Sequence, residues 1–193
     1  MRWRYPGLAF PVALLALAPI PAFAAHPPVA MQGSWVSDCL PLGKNGRHGL
    51  IIRVMVSAGA FNSSGRMFAH NSCDAPVMDF VGQAALGRVK AASGGYDLRL
   101  TFMSATMTIR DKSVAALYAQ GANCGLATWQ VDVPTDVAGR TCEPVSFPSN
   151  GSIVTLKAMP SGDRMTIQDL YVLFSAKPVD GVVLPGNVVL RRQ

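Results

Sequence analysis

The sequence predicts an all-β protein, an antiparallel barrel or sandwich of short strands with one short helix. Apolar and polar residues alternate in several separate stretches. The cleanest is YDLRLTFM, where Tyr96, Leu98, Leu100 and Phe102 face one way and Asp97, Arg99 and Thr101 the other. A period of two marks a strand with one buried face. Turn-forming clusters punctuate the chain: NSSG from Asn62, SGG from Ser93, PSNGS from Pro148 and SGD from Ser161. Finally, the 193 residues include a single glutamate, Glu143, among many β-branched and small residues, a balance that disfavours helix.

The N-terminus reads as an export signal. MRWR carries two arginines, the run from Leu8 to Ile20 is uncharged and apolar, and PAFAA places small residues at Ala22 and Ala24. A basic start, a short apolar core and an A-x-A ending describe a signal peptide over residues 1–24. The core is too short and too proline-rich for a good membrane span, and no cysteine stands at the cleavage site for lipid attachment. The mature chain then runs over residues 25–193, enough for one domain with its own core. Without Arg2 and Arg4 its net charge is +4, scattered except at Arg191–Arg192. Nucleic-acid binding needs clustered lysine and arginine, so no nucleic-acid partner is expected.

Along the mature chain, LIIRVMVS (Leu50 to Ser57) is a β-branched strand, followed by YDLRLTFM and by TMTIR, where Met107 and Ile109 oppose Thr106, Thr108 and Arg110. RDKSVAALYAQG predicts the helix, with Asp111 as N-cap, Val114, Leu117 and Tyr118 on one face, and Gly121 at the end. SIVTLKAM (Ser152 to Met159) and RMTIQDLYVLF (Arg164 to Phe174) flank the SGD turn as a hairpin. GVVLPGNVVLRR closes the chain as two short strands around Pro185, which belongs in a turn or at an edge. Half-buried alternation favours antiparallel neighbours.

All four cysteines, Cys39, Cys73, Cys124 and Cys142, follow the cleavage site. An even count in an exported chain predicts two disulfides. Three pairings are open; the sequential one, Cys39–Cys73 with Cys124–Cys142, closes the shorter loops and is favoured. The rival reading is a metal site at His70–Cys73 (HNSC), but no second ligand pair of matching spacing exists. No metal and no cofactor are expected.

GSW at Gly33–Trp35 resembles the G-x-W of lipocalin-type (calycin-type) proteins. The resemblance covers the first strand and the overall strand economy; the family's T-D-Y is not present. It implies an antiparallel lipocalin-like up-and-down barrel. Trp35 would plug the closed end, with an arginine from near the chain's end packed across it. Arg191 is the candidate, with Arg192 and Arg164 as alternatives; a cation over an indole is a favourable contact. Trp35 and Ser37 would point inward, Val36 and Asp38 outward, and Cys39 would tie to Cys73 on a neighbouring strand. The segment CGLATWQVDVPTDVAGRTC, Cys124 to Cys142, is similar to one in exported bacterial proteins that also begin with a G-x-W-x-x-x-C strand. A disulfide loop of this kind is a strut or a displayed surface, and the strut is favoured.

Catalytic motifs are not found. No G-x-S-x-G, H-E-x-x-H, P-loop or G-x-G-x-x-G occurs. The histidines are His26 at the new N-terminus, His48 in a polar loop and His70. No enzyme is expected. A barrel of this size has room for one small apolar ligand. Met55, Met67, Met78, Met103 and Met107 fall in strand-like stretches and are pocket or core candidates. The expected function is therefore an exported, periplasmic or secreted, non-catalytic binding protein for a small apolar ligand. The alternative is a protein-binding or envelope-structural module, inhibitors included, with an envelope protein as partner. The loop LGKNGRHG (Leu42 to Gly49) would be its contact surface. An outer-membrane barrel is disfavoured by the two cysteine pairs, the scarce aromatics and the charged RRQ end.

Overall fold

The computed structural model describes residues 27–143, 145–174 and 186–193; the predicted leader, His26, Pro185 and the strand predicted just before Pro185 lie outside them. The strands are β1 (Gly33–Ser37), β2 (Leu40–Leu42), β3 (His48–Val56), β4 (Ala60–Phe68), β5 (Pro76–Ala92) and β6 (Gly95–Ile109). After helix α1 (Lys112–Gln120) come β7 (Thr135–Asp136), β8 (Thr141–Cys142), β9 (Val145–Ser146), β10 (Ile153–Ser161), β11 (Arg164–Gln168) and β12 (Asn187–Arg192). Strands β3, β4, β5, β6, β10, β11, β12 and β1 pair in that order, all antiparallel, and β1 returns to β3. The sheet is a closed eight-stranded barrel with up-and-down connections. Closure of β1 on β3 leaves the eight-stranded sheet without the two free edge strands that an open antiparallel sheet would present.

β2 continues the line of β1 along β3, pairing Leu40 with Leu50. At the break between them the ladder is completed by a side chain: the Ile52 N–H donates to Ser37 Oγ at 2.9 Å. Buried backbone donors need such a partner.

YDLRLTFM and TMTIR turn out to be one strand, β6, with a bulge. Gln83 pairs with Ser104 and Ala84 with Phe102, so Met103 is the extra residue. One inserted residue reverses the parity of everything after it. Leu98, Leu100 and Phe102 are buried before the bulge, and Ala105, Met107 and Ile109 after it, while Met103 is exposed.

Other expectations are corrected. Asn62–Gly65, predicted as a turn, is the middle of β4. β5 stands where the pattern named no strand. The strand predicted over Arg164–Phe174 ends at Gln168. Asp169 turns to φ +55° and a 3-10 turn, Leu170–Leu173, follows. In α1, Asp111 caps as expected, accepting from the N–H groups of Ser113 and Val114. Leu117, however, faces solvent, and the helix buries Ala115 beside half-buried Val114 and Tyr118.

The register accounts for the small inward residues at one level of β4 and β5. Trp35 lies across from Val54, Val54 from Ser63, Ser63 from Gly82, and Gly82 from Ala105. All five are inward and buried, so one indole is accommodated by a row of residues that become small around the wall. Outside, Arg53, Arg66, Gln83, Arg99, Thr101 and Arg164 are exposed. An apolar interior with a charged exterior is the reverse of a membrane barrel. Among the described residues no helix is long and apolar enough to cross a membrane.

The chain between α1 and β10 crosses one end of the barrel. β6 pairs with β10 only through its first half, Tyr96 to Thr101. Its second half is met by the crossing segment. Thr106 and Met107 pair with Asp136 and Thr135, and Val137 N–H donates to the Ala105 carbonyl at 3.0 Å.

Candidate functional site: an apolar cavity at the open end

The two ends of the barrel are built differently. At the closed end Trp35 is fully buried, and its Nε1–H donates to the Met31 carbonyl at 2.9 Å. Met31 belongs to a 3-10 turn, Val29–Met31, that plugs this end. Arg192, not Arg191, covers the indole, with its guanidinium carbon 4.3 Å from the ring centroid. Its terminal nitrogens donate to the carbonyls of Gln32 and Ala30, each at 2.8 Å. The reason is strand parity. Val188 and Leu190 point inward, so Arg192 shares their face and lies across from Trp35. Arg191 points outward to Asp38 at 3.0 Å. Arg164 is exposed on β11, across from Arg191.

About 7 Å further along the strands, the next inward row is Ile52, Gly65, Phe80 and Met107, followed by Leu50, Met67, Met78 and Ile109. Here the interior is not filled. A cavity of about 330 Å³ is bounded by Leu50, Met67, Met78, Phe80 and Met107 from the barrel wall, with Tyr118, Phe147 and Phe174 over it. Phe80 on its wall lies 6.0 Å from Phe147 and 6.4 Å from Phe174 between ring centroids. Gly65 leaves the space: a Cβ there would meet Leu50, Phe174 and Phe80 at 3.4–3.8 Å. Burial pushes the Tyr118 phenol up from its ordinary value, so it stays protonated at neutral pH.

Three of the five singled-out methionines, Met67, Met78 and Met107, line the cavity. Met55 and Met103 face solvent, the first by alternation and the second because it is the bulge. The aromatic contribution of Phe80, Phe147 and Phe174 has no signal in local sequence. It arises where β5, the crossing segment and the turn after β11 meet.

Both disulfides brace this end. Cys39–Cys73 joins the break after β1 to the β4–β5 loop, and Cys124–Cys142 closes the crossing segment. β3 passes under the first bridge at Gly49, where a Cβ would fall 2.5 Å from Cys73 Sγ and 2.7 Å from the His70 carbonyl oxygen. Only glycine allows that approach. Cys142 lines the cavity, and Cys124, Trp129, Val137 and Phe147 belong to the cluster packed above it. The Cys124–Cys142 segment is thus a strut that roofs the open end.

At the mouth lies the loop predicted as a contact surface. Lys44, Arg47 and His48 border the cavity. Arg47 can only donate, so its Nε–H gives a 2.9 Å hydrogen bond to His48 Nε2, which must accept. The imidazole proton is therefore on Nδ1, donated to the Ala69 carbonyl at 2.9 Å. His70 instead pairs with Asp74 at 3.0 Å in the open. That contact, with a hydrogen bond from Ser72, holds the Asp74 carboxyl below its ordinary value. Cys73, the other end of HNSC, is consumed in its disulfide. Among the described residues no group of three His, Cys, Asp or Glu side chains is placed to hold a metal ion.

On the outer wall Asp79 receives Arg66 and Arg110, each at 2.7 Å, and Arg110 reaches on to Asp132 at 2.7 Å. The chain ties β4, β5 and the end of β6 to the crossing segment. Burial alone would raise the Asp79 carboxyl, but the hydrogen bonds and charges of the two arginines outweigh it and hold it below the ordinary value.

The fold and site thus define a closed, disulfide-braced β-barrel with a small apolar cavity under a roof. No protein-family model matches the chain, and no curated protein matches its sequence.

Proposed function

We propose that the protein is an exported, non-catalytic binding protein that takes one small apolar ligand in the cavity at the open end of its barrel. The observation that carries this reading is the cavity itself. The interior is filled from Met31 and Trp35 to Leu98 and Leu100, then opens at a wall of Met67, Met78, Phe80 and Met107. Ligand sites are typically clefts of about 300 Å³ or more with apolar and aromatic linings, and methionine suits an adaptable wall. The G-x-W resemblance supports the same reading. Export is supported by the basic, apolar, small-residue order of the leader and by the two disulfides.

The test is titration with the neutral fluorophore N-phenyl-1-naphthylamine. Saturable one-to-one binding is expected, with loss of binding in Gly65→Leu, whose side chain would occupy the cavity, while cooperative unfolding is retained. Absence of saturable binding, or equal binding to the filled variant, would overturn the reading.

A further inference from the structure

Two cations stand at the mouth of the apolar cavity, and no carboxylate of the described residues is paired with either. Lys44 and Arg47 both border the cavity, and among the described residues no Asp or Glu does. The ion pairs formed among the described residues involve Arg66, His70, Arg110 and Arg191, not Lys44 or Arg47.

The loop that carries the two cations is built rather than slack. Gly43, Asn45 and Gly46 have φ of +77°, +60° and +62°, conformations that glycine and asparagine tolerate. Gly46 N–H donates to the Gly43 carbonyl at 3.0 Å. The His48 ring packs on Gly43, where a Cβ would lie 3.0 Å from Cδ2. His48 is held in turn by Ala69, and its Nε2 takes the Arg47 Nε–H. That bond fixes the inner end of the guanidinium and leaves its two terminal nitrogens, a planar fork suited to an oxyanion.

We infer that the ligand is an anionic amphiphile, with an apolar body on Met67, Phe80 and Met107 and a carboxylate, sulfate or phosphate head between Lys44 and Arg47. This rests on the binding reading above and adds the head group to it. The cavity volume sets the scale of the body: 330 Å³ corresponds to roughly ten to twenty non-hydrogen atoms. A cationic amphiphile of the same length would place its head against two like charges, and a neutral one would leave the fork unused.

The experiment is displacement of N-phenyl-1-naphthylamine from the mature, oxidised protein by four probes of one chain length: decanoate, decyl sulfate, 1-decanol and decyltrimethylammonium. The two anions are expected to bind about tenfold more tightly than the alcohol, a preference the size of one or two solvent-exposed charge contacts, with the cation weakest. The anion-to-alcohol ratio is expected to fall toward one in Lys44→Gln/Arg47→Gln and in high salt. Equal affinities for anion and alcohol, or an anion preference unchanged in the double variant, would overturn the inference and leave the apolar cavity reading standing. Failure of every probe and of the fluorophore to bind would overturn the binding reading, and this inference with it.

Discussion

Two tryptophans mark the two ends of this barrel, and their surroundings differ. Trp35 at the closed end is fully buried, gives its Nε1–H to Met31, and carries Arg192 over its face. Trp129 in the roof is also buried and meets the Tyr118 ring edge-on at 5.5 Å between centroids. Its Nε1, however, has no hydrogen-bond partner among the described residues. An unmet buried donor costs on the order of 1–3 kcal/mol. One end is a plug in which the indole N–H and both terminal nitrogens of the guanidinium have partners. The other is a roof held by a disulfide over a space. Covalent closure of the crossing segment, at about 2–4 kcal/mol per bridge, stabilises a region whose packing is incomplete, and incomplete packing is what a ligand cavity requires.

The largest expected difference between the ends is in truncation. Trp35→Ala removes a filled, hydrogen-bonded indole and is expected to cost about 3–5 kcal/mol in denaturant unfolding. Phe80→Ala, at a wall that already faces a void, is expected to cost only about 1–2 kcal/mol. Equal losses would mean that the open end is as tightly packed as the plug, and the contrast would fall.

The contrast sharpens at the C-terminal arginines. Arg192→Ala loses the stack and two carbonyl contacts, for about 1–2 kcal/mol. Arg191→Ala loses an exposed pair with Asp38 and is expected to change stability by less than about 0.5 kcal/mol. Indole fluorescence of Trp35 should respond to the first and not to the second.

The smallest effect is electrostatic and lies on the wall between the ends. The Asp79 carboxyl is lowered in the folded protein, so its contribution is complete above the unfolded value, near 3.9, and is lost as pH falls through the lower folded value. Asp79→Asn is therefore expected to be less stable than the parent at neutral pH, with the gap closing below about pH 4. A gap that widened on acidification would contradict the assigned direction.

Much of the barrel was legible because alternation is a local property. Leu98 to Phe102 announced an inward face. The same period of two, counted from Val188 and Leu190, would have favoured Arg192 over the expected Arg191, which the structure corrects. The cysteine pairing followed from loop length. β4 and β5 were not legible. Their inward residues include Ser63, Gly65, Gly82 and Ala84, which read locally as turn or filler. Ser63 and Gly82 lie on the row of Trp35, which is three strands from β5 in the pairing and far from it in sequence, and Gly65 leaves the cavity beside Phe80.

The sequence by itself determined the alternating strands, the capped helix and the two disulfides, since each depends on residues near one another or on the chemistry of a single side chain; that Trp35 closes one end was what the G-x-W resemblance implied. Tertiary structure alone decided that Phe80, Phe147 and Phe174 surround a cavity, that Met107 faces it while Met103 does not, and that Lys44 and Arg47 stand at its mouth. Those facts depend on a bulge, a register and a crossing segment. Each is settled by which side chains fill the barrel together, a sum over distant residues that no local pattern contains.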